Sequence, residues 1–285
     1  MSSADLVYRG LSQEELDREY SPSSRVQSID PFLQAWEQRS TAARAALEPL
    51  CDLRYAAGER RTLDFFPSAM PASPLLLFIH GGYWRELTKD ESSFLAPSFV
   101  NAGAAFAALD YPLAPTVSLP EIVDACENAL LWLTRRAEEF GFDNSRIVVV
   151  GMSAGAHLAA MLATGSHAEL ISATVAISGV YDLEPIRLSY VNEPLGLDER
   201  AAALYSPIRR VRFGLAPLIV GYGDNETDEL KRQSREMAVA WEALGNACHS
   251  IEVAGRHHFD VIDACADAQS DLGAAVFDCL GLAPR

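Results

Sequence analysis

A buried strand that runs into a glycine-flanked serine and then into a helix is the feature that most constrains this chain. Ile147 and the valines at 148–150 form an apolar run that is typical of a strand in a parallel sheet covered on both faces. The next residues, Gly151 to Gly155, fit the pattern G-x-S-x-G, and the apolar residues after them predict a closely packed helix. Such a turn strains the backbone of its serine, so the neighbours must be small. The pattern predicts a nucleophile elbow at Ser153, although a turn without chemistry has the same spacing.

Strands and helices alternate along the rest of the chain. The apolar runs predict strands over residues 74–79, 104–109, 146–150, 173–178, 218–221 and 249–253, after a hairpin over 53–66. Because helical patterns separate most of these runs, the chain predicts an α/β fold with a mostly parallel central sheet and helices on both faces. Functional groups gather at the carboxyl ends of strands in such sheets. Here the candidate groups all follow strands: His80-Gly81-Gly82, Ser153, Asp224, Glu226, His257 and His258.

The segments outside this alternation are candidates for a cap. Residues 1–50 precede the sheet and predict two helices, and the spacing of Ser12 and Glu15 fits a capping box at the start of the first. We treat 1–50 as a helical segment that either forms a lid or simply packs, and 51–285 as the main domain. Residues 183–212, rich in proline and aromatic residues, predict an irregular insertion over the strand ends.

Composition narrows the classes of partner and compartment. A net charge of −16 over 285 residues argues against nucleic acid or an anionic membrane as a partner. No stretch approaches the roughly 20 apolar residues of a membrane span, and residues 1–5 lack a leader pattern. The five scattered cysteines, without CxxC spacing, are typical of a reduced, cytoplasmic protein. We expect no cofactor and no metal, and the oligomeric state stays open, with a homodimer among the options.

Ser153 requires a base among the six histidines. A serine hydroxyl is a weak nucleophile at pH 7, so a histidine must take its proton and a carboxylate must orient that histidine. His257 and His258 follow the last predicted strand. His80 belongs to a glycine loop, and His157 lies in the helix after the serine, where it is expected to pack or to bond locally.

The order of the candidate groups along the chain is serine, then acid, then histidine. This order resembles that of the α/β-hydrolases, and the resemblance covers roughly residues 53–280. It implies an α/β-hydrolase fold with the N-terminal helices and the small insertion as a cap. Similar enzymes carry the base directly before an aromatic residue and a helix, which favours His258 over His257.

Three carboxylates are candidates for the acid. Asp224 and Glu226 both lie in the loop after the penultimate strand, and Asp182 follows an earlier strand. Sequences that resemble this one place the acid a few residues before an Arg-Gln-Ser helix, and that tripeptide stands here at 232–234. The resemblance therefore favours Glu226 and leaves Asp224 and Asp182 as alternatives.

Acyl transfer also needs N–H donors that face the negatively charged oxygen of the intermediate. The backbone N–H groups of Gly82, Tyr83 and Ala154 are the candidates, since glycine at 81 and 82 lets the main chain turn toward the substrate without a Cβ clash. Trp84 follows directly. It either stacks on an aromatic substrate beside this site or packs beneath the glycine loop.

Several motifs resemble the kynurenine formamidase (arylformamidase) branch, which overlaps the hormone-sensitive-lipase-like esterases. They are His80 to Trp84, the loop 110–115, the segment 178–183 and the opening, Tyr8-Arg9-Gly10 through Leu16 to Tyr20. Pro112 stands where arginine is usual in that loop, and Ser21 to Arg25 replace an Asn-rich turn. The second departure, together with the choice among the candidate acids, concerns the substrate more than the hydrolase chemistry.

The sequence thus predicts a serine hydrolase that cleaves an ester or amide bond of a small molecule through an acyl-enzyme, and the resemblance implies a formamide substrate. Ser153 is the expected nucleophile, His258 the base and Glu226 the acid. A carboxylesterase, a thioesterase or an amidase would use the same groups, because the choice of leaving group depends on the shape of the pocket. A non-catalytic binding protein with this fold is a further alternative.

Overall fold

The structure is a computed structural model that describes residues 6–282. Residues 1–5, on which the expectation about a leader rests, and residues 283–285 lie outside the described range. Eight strands within that range form one sheet: β1 (Leu50–Arg54), β2 (Thr62–Phe66), β3 (Ser73–Ile79), β4 (Ala105–Leu109), β5 (Phe142–Met152), β6 (Ala173–Ile177), β7 (Leu218–Gly223) and β8 (Cys248–Val253).

Helices pack on both faces of the sheet, which confirms the predicted fold class. They are α1 (Gln13–Glu19), α2 (Asp30–Leu47), α3 (Ala96–Ala102), α4 (Leu119–Arg135), α5 (Ala137–Phe140), α6 (Ala154–Ala163), α7 (Glu184–Leu188), α8 (Glu199–Leu204), α9 (Asp228–Ala243), α10 (Val261–Cys265) and α11 (Asp271–Cys279). In the described part of the chain, no helix combines the length and the apolar character that crossing a membrane requires.

The sheet is mixed, with the order β1-β2-β4-β3-β5-β6-β7-β8. Strand β2 runs antiparallel to both of its neighbours, β1 and β4. The six strands β3 to β8 run parallel to one another. In the parallel register Ile79 lies opposite Gly151, and Met152 lies opposite Ile177. The residues that follow these strand ends are therefore neighbours along one edge of the sheet.

The apolar run in the second half of the central strand β5 is buried on both faces of the sheet. Val148 and Val150 belong to the apolar layer on one face of the sheet, and Val149 belongs to the layer on the other face. All three side chains are completely buried. Because helices cover both faces here, the side chains from Ile147 to Val150 are apolar on both sides of the strand, whereas the polar residues of β5 lie before them, at 143–146.

The N-terminal helices join the core of the sheet domain. Leu16 and Tyr20, from α1 and its C-terminal end, are completely buried in one apolar layer, and Trp36 of α2 packs in the other. The predicted capping box is present, since Ser12 and Glu15 exchange hydrogen bonds at the start of α1. The segment 183–212, expected to be irregular, includes the short helices α7 and α8.

Candidate active site

Ser153 lies in a strained turn between β5 and α6. Its φ of +56° and ψ of −122° fall in a region that L-residues rarely occupy. A Cβ added to Gly151 would overlap the carbonyl oxygen of Gly155, and one added to Gly155 would overlap the carbonyl oxygen of Ile79. Both glycines of the G-x-S-x-G pattern are therefore required by close backbone contacts.

The hydroxyl of Ser153 stands at the N-terminus of α6 and beside a cavity of about 200 Å³. The positive end of the helix dipole favours negative charge at this position. The cavity is lined largely by apolar and aromatic side chains, with Ser153 and His258 on its wall. It therefore provides a small, largely apolar space next to the serine.

His258 and Glu226 form a buried pair at the carboxyl edge of the sheet. The Nδ1 atom of His258 lies 3.1 Å from Oε2 of Glu226, and the two residues are 5% and 1% exposed. The other carboxylate oxygen, Oε1, accepts hydrogen bonds from the N–H of Gly223 at 2.7 Å and from the hydroxyl of Ser178 at 2.6 Å. This arrangement engages Nδ1 of His258 and leaves its Nε2 atom without a hydrogen-bond partner among residues 6–282.

The alternative acids and base lie in other surroundings. Asp224 is exposed, and its carboxylate accepts a hydrogen bond from the N–H of Gly255 at 2.9 Å. The ring of His257 lies 3.2 Å from the carboxylate of Asp260. Among residues 6–282, Asp182 has no hydrogen bond or ion pair with a histidine. Of the candidates, the structure pairs only Glu226 and His258 in this part of the chain.

The glycine loop after β3 packs directly on the elbow. A Cβ on Gly81 would lie 3.1 Å from the Cβ of Ser153, so a larger residue would push the loop away from the serine. Gly82 has a φ of +91°, and a Cβ there would overlap the carbonyl oxygen of Glu86. These contacts explain the two consecutive glycines in physical terms.

The N–H groups of Gly82, Tyr83 and Ala154 are available as donors. None of the three has a hydrogen-bond partner among the described residues. Ala154 is the first residue of α6, whose first N–H groups have no partner within the helix. Unpaired donors from two elements near Ser153 are what an oxyanion hole requires.

His80 and Tyr111 hold the glycine loop in place. The Tyr111 hydroxyl donates to the carbonyl oxygens of His80 and Gly81 at 2.9 and 3.0 Å, and the two rings stack with centroids 4.2 Å apart. Nδ1 of His80 donates to the carbonyl of Gly81 at 2.9 Å. Sequence reasoning gave Tyr111 no role, although the loop 110–115 had attracted notice as a motif.

The expected contact between Trp84 and substrate is corrected by its burial. The indole is completely buried and does not line the cavity; its Nε1 donates to Nδ1 of His157 at 3.2 Å. Nε2 of His157 in turn donates to the carbonyl of Tyr205 at 2.8 Å. Burial lowers the pKa of His157 to about 4, so the imidazole is neutral near pH 7. Trp84 therefore packs beneath the glycine loop.

Tyr83 of the glycine loop lines the cavity, and the other phenylalanine, tyrosine and tryptophan side chains there come from other segments. They are Trp36 of α2, Phe78 of β3, and Phe94, Tyr190 and Phe259. Sequence reasoning gave Trp36, Phe78 and Phe94 no role at the site. No local pattern marks them, because only the packing of distant segments brings them to the serine.

The chain after α1 covers one side of the cavity. Pro22 and Ser23 line it, and the hydroxyls of Tyr83 and Tyr190 both donate to the carbonyl oxygen of Tyr20, at 2.7 and 3.2 Å. The N-terminal segment, the glycine loop and the insertion thus meet at one backbone carbonyl.

No group of three or more histidine, cysteine, aspartate or glutamate side chains within residues 6–282 is arranged to hold a metal ion.

Comparison with known proteins gives consistent matches over most of the chain. Residues 63–240 match the BD-FAE family. A zebrafish (Danio rerio) protein named kynurenine formamidase is 32% identical over 278 residues, which cover 91% of this chain and 94% of that protein.

Two solved structures are also similar to this chain over most of its length. A crystal structure described as a candidate thioesterase from Silicibacter sp. TM1040 has a TM-score of 0.82 and 29% identity, covering 92% of this chain and 98% of that one. The thermophilic carboxylesterase EstE1, cloned from a metagenomic library, has a TM-score of 0.70 and 22% identity over 89% of this chain and 98% of its own. The carboxylesterase shares the fold.

Proposed function

Because the chain belongs to the BD-FAE family and is a serine hydrolase of ester or amide bonds in the α/β-hydrolase superfamily, we propose that it hydrolyses an aryl formamide of the N-formylkynurenine type. The observation that carries this proposal is the aromatic-lined cavity of about 200 Å³ that opens beside Ser153 and His258. A formyl group is the smallest acyl group, and an aryl ring suits such a lining. The similarity to a protein named kynurenine formamidase extends over 91% of the chain and supports the same substrate class.

In the proposed mechanism Ser153 attacks the formyl carbon while Nε2 of His258 takes the hydroxyl proton. The N–H groups of Gly82, Tyr83 and Ala154 donate to the oxyanion that forms. His258 then gives its proton to the aryl amine as the C–N bond breaks, which leaves a formyl group on Ser153. Water, activated by the same histidine, releases formate and restores the serine.

Glu226 orients the base in this proposal. Its contact with Nδ1 of His258, at 3.1 Å, selects the tautomer with Nε2 free and stabilises the imidazolium as it forms. Because Gly223 and Ser178 hold the other carboxylate oxygen, the acid cannot rotate without losing two hydrogen bonds. The proposed triad is thus fixed by groups at the ends of β6 and β7.

A thioesterase or carboxylesterase is the second candidate. It is favoured by the similarity to a structure described as a candidate thioesterase, which at 29% identity covers 92% of this chain. The chemistry at Ser153 would be the same, and only the leaving group would differ.

We also propose a cytoplasmic enzyme that acts on small molecules rather than on nucleic acid. The support is the sequence: five cysteines without CxxC spacing suit a reducing compartment, and a net charge of −16 opposes binding to a polyanion.

The test is a comparison of substrates on the purified protein with Ser153→Ala as the blank. We expect N-formyl-L-kynurenine to be turned over faster than a series of short and medium p-nitrophenyl esters. Turnover of the esters alone would move the substrate to the carboxylesterase side and overturn the formamide proposal. A fluorophosphonate probe completes the design, since failure to label Ser153 would indicate a binding protein instead of an enzyme.

A further inference from the structure

One charged pair lies at the edge of the cavity and has no role in the proposed mechanism. Arg85 and Glu86 both line the cavity, and Nε of Arg85 lies 3.2 Å from Oε1 of Glu86. Their side chains are 37% and 62% exposed. They therefore stand at the rim, where a substrate group can reach them from solvent.

The pair is attached to the glycine loop by short backbone contacts. The N–H groups of Arg85 and Glu86 both donate to the carbonyl of Gly82, at 3.0 and 2.9 Å. Gly82 also supplies one of the proposed oxyanion donors. The backbone of both rim residues is therefore held close to the point where the substrate carbonyl would bind.

Arg85 has unused hydrogen-bonding capacity. Apart from the contact of its Nε with Glu86, its guanidinium has no hydrogen bond or ion pair within residues 6–282. Both Nη groups are free, and a guanidinium with free Nη groups binds a carboxylate through two parallel hydrogen bonds. The side chain of Arg85 can therefore bind an anionic group of a ligand.

Arg85 is also the sole arginine or lysine among the described residues that line the cavity. The other carboxylate there, Glu91, is already engaged, because its Oε2 accepts from the N–H and the hydroxyl of Thr88 at 2.9 and 2.8 Å. In a chain of net charge −16, a substrate carboxylate requires such a local cation to offset the surrounding negative field.

We propose that Arg85 and Glu86 form a rim site for the zwitterionic amino-acid end of the substrate, with Arg85 binding the carboxylate and Glu86 accepting from the ammonium group. This inference rests on the proposed formamidase function and deepens it. The ion pair between the two side chains opens, and each exchanges its partner for the opposite charge on the ligand. The aryl formamide end then points toward Ser153.

Matched substrates and matched variants test the site. The zwitterionic substrate is N-formyl-L-kynurenine, and the neutral one is 2-formamidoacetophenone, which has the same aryl formamide without the amino-acid group. For Arg85→Gln we expect KM for the zwitterion to rise about tenfold with kcat unchanged, because a charge-assisted contact at a partly exposed rim acts equally on ground and transition states. The neutral substrate should change by less than about twofold.

Two further variants separate recognition from support of the loop. Arg85→Lys keeps the charge without the two-pronged geometry and should show an intermediate KM, whereas Glu86→Gln should raise KM for the zwitterion by a smaller factor than Arg85→Gln. If Arg85→Gln lowers turnover of both substrates equally, Arg85 supports the glycine loop and the rim site is wrong.

A binding measurement keeps the inference separate from the proposed activity. Calorimetry on the Ser153→Ala protein measures the Kd of L-kynurenine and of 2-aminoacetophenone, with and without Arg85→Gln. We expect the added substitution to weaken the binding of L-kynurenine by about tenfold and to leave the binding of 2-aminoacetophenone unchanged. Equal binding of L-kynurenine to both proteins overturns the rim site, whereas failure of the wild-type enzyme to hydrolyse either formamide overturns the proposed function.

Discussion

The hydroxyl of Ser178 donates a 2.6 Å hydrogen bond to Oε1 of Glu226, so the carboxylate that faces His258 is held from a neighbouring strand. Ser178 follows β6, is completely buried and has a φ of +52°. Its own N–H donates to the carbonyl of Gly221 at 2.8 Å, which fixes it to β7. The strained backbone of Ser178 thus serves to aim one hydroxyl at the proposed acid.

Removing this hydroxyl should lower catalysis without weakening substrate binding. For Ser178→Ala we expect kcat to fall about tenfold with KM unchanged, since a hydrogen bond to a charged group contributes about 1.5 kcal/mol and acts here through Glu226. Ser178→Gly is the matched control, because it lacks the same donor but accepts a positive φ without strain. A loss of kcat in the alanine variant alone would mean that strain, and not the donor, is responsible.

The two carboxylates of the loop after β7 should differ sharply on substitution. We expect Glu226→Gln to lower kcat by about 10²- to 10⁴-fold, because the amide would favour the wrong tautomer of His258. Asp224→Asn should change kcat by less than about twofold, since its carboxylate is exposed and bonds only the backbone of Gly255 within the described residues. Steady-state kinetics on both variants is the measurement, and the reverse ranking would transfer the role of the acid to Asp224.

The sequence predicts those features of the site that depend on residues close together in the chain. The turn at Ser153 needs small residues at 151 and 155 because of contacts within a few residues and with β3, so the spacing alone marks it. The apolar run of β5 reflects burial on both faces, which also follows from the sequence. Parallel strands then bring the residues after each strand to one edge.

The features that could not be predicted depend on contacts between distant segments. Trp84 follows the glycine loop and has the composition of a substrate contact, yet its indole is buried because His157, 73 residues away, offers an acceptor inside the core. The carbonyl of Tyr20 receives hydroxyls from two other segments, and neither contact leaves a periodic signal. Ser178 lay within a recognised motif, but only the structure reveals its bond to Glu226.

Gly155 should not tolerate even a methyl group. An added Cβ would overlap the backbone carbonyls of Ile79 and His80, and backbone cannot move aside as a flexible side chain can. We expect Gly155→Ala to lower the free energy of unfolding by about 2–3 kcal/mol, although alanine is ordinarily the better helix former. Urea unfolding measures the change, and a variant as stable as the wild type would show that the contact between α6 and β3 relaxes at little cost.

The buried chain from Trp84 through His157 to the carbonyl of Tyr205 should make stability depend on pH. His157 accepts at Nδ1 and donates from Nε2, so both nitrogens are satisfied only in the neutral form. Burial is the main cause that lowers its pKa from 6.5 to about 4, and the nearby charge of Arg210 acts in the same direction. Protonation would place a charge in the core and remove the acceptor for the indole of Trp84.

The sign of the effect follows from linkage. Below about pH 6.5 the unfolded chain binds a proton at His157 that the folded protein does not bind until about pH 4, so this contribution to stability is complete above pH 6.5 and is lost as the pH falls toward 4. We expect His157→Gln to be less stable than the wild type at pH 7, and the gap to narrow by about 2–3 kcal/mol by pH 4.5. Urea unfolding of both proteins at several pH values gives the difference in their free energies of unfolding. The contributions of carboxylates that titrate in both proteins cancel in this difference. A gap that stays constant between pH 7 and 4.5 would contradict a buried, neutral His157.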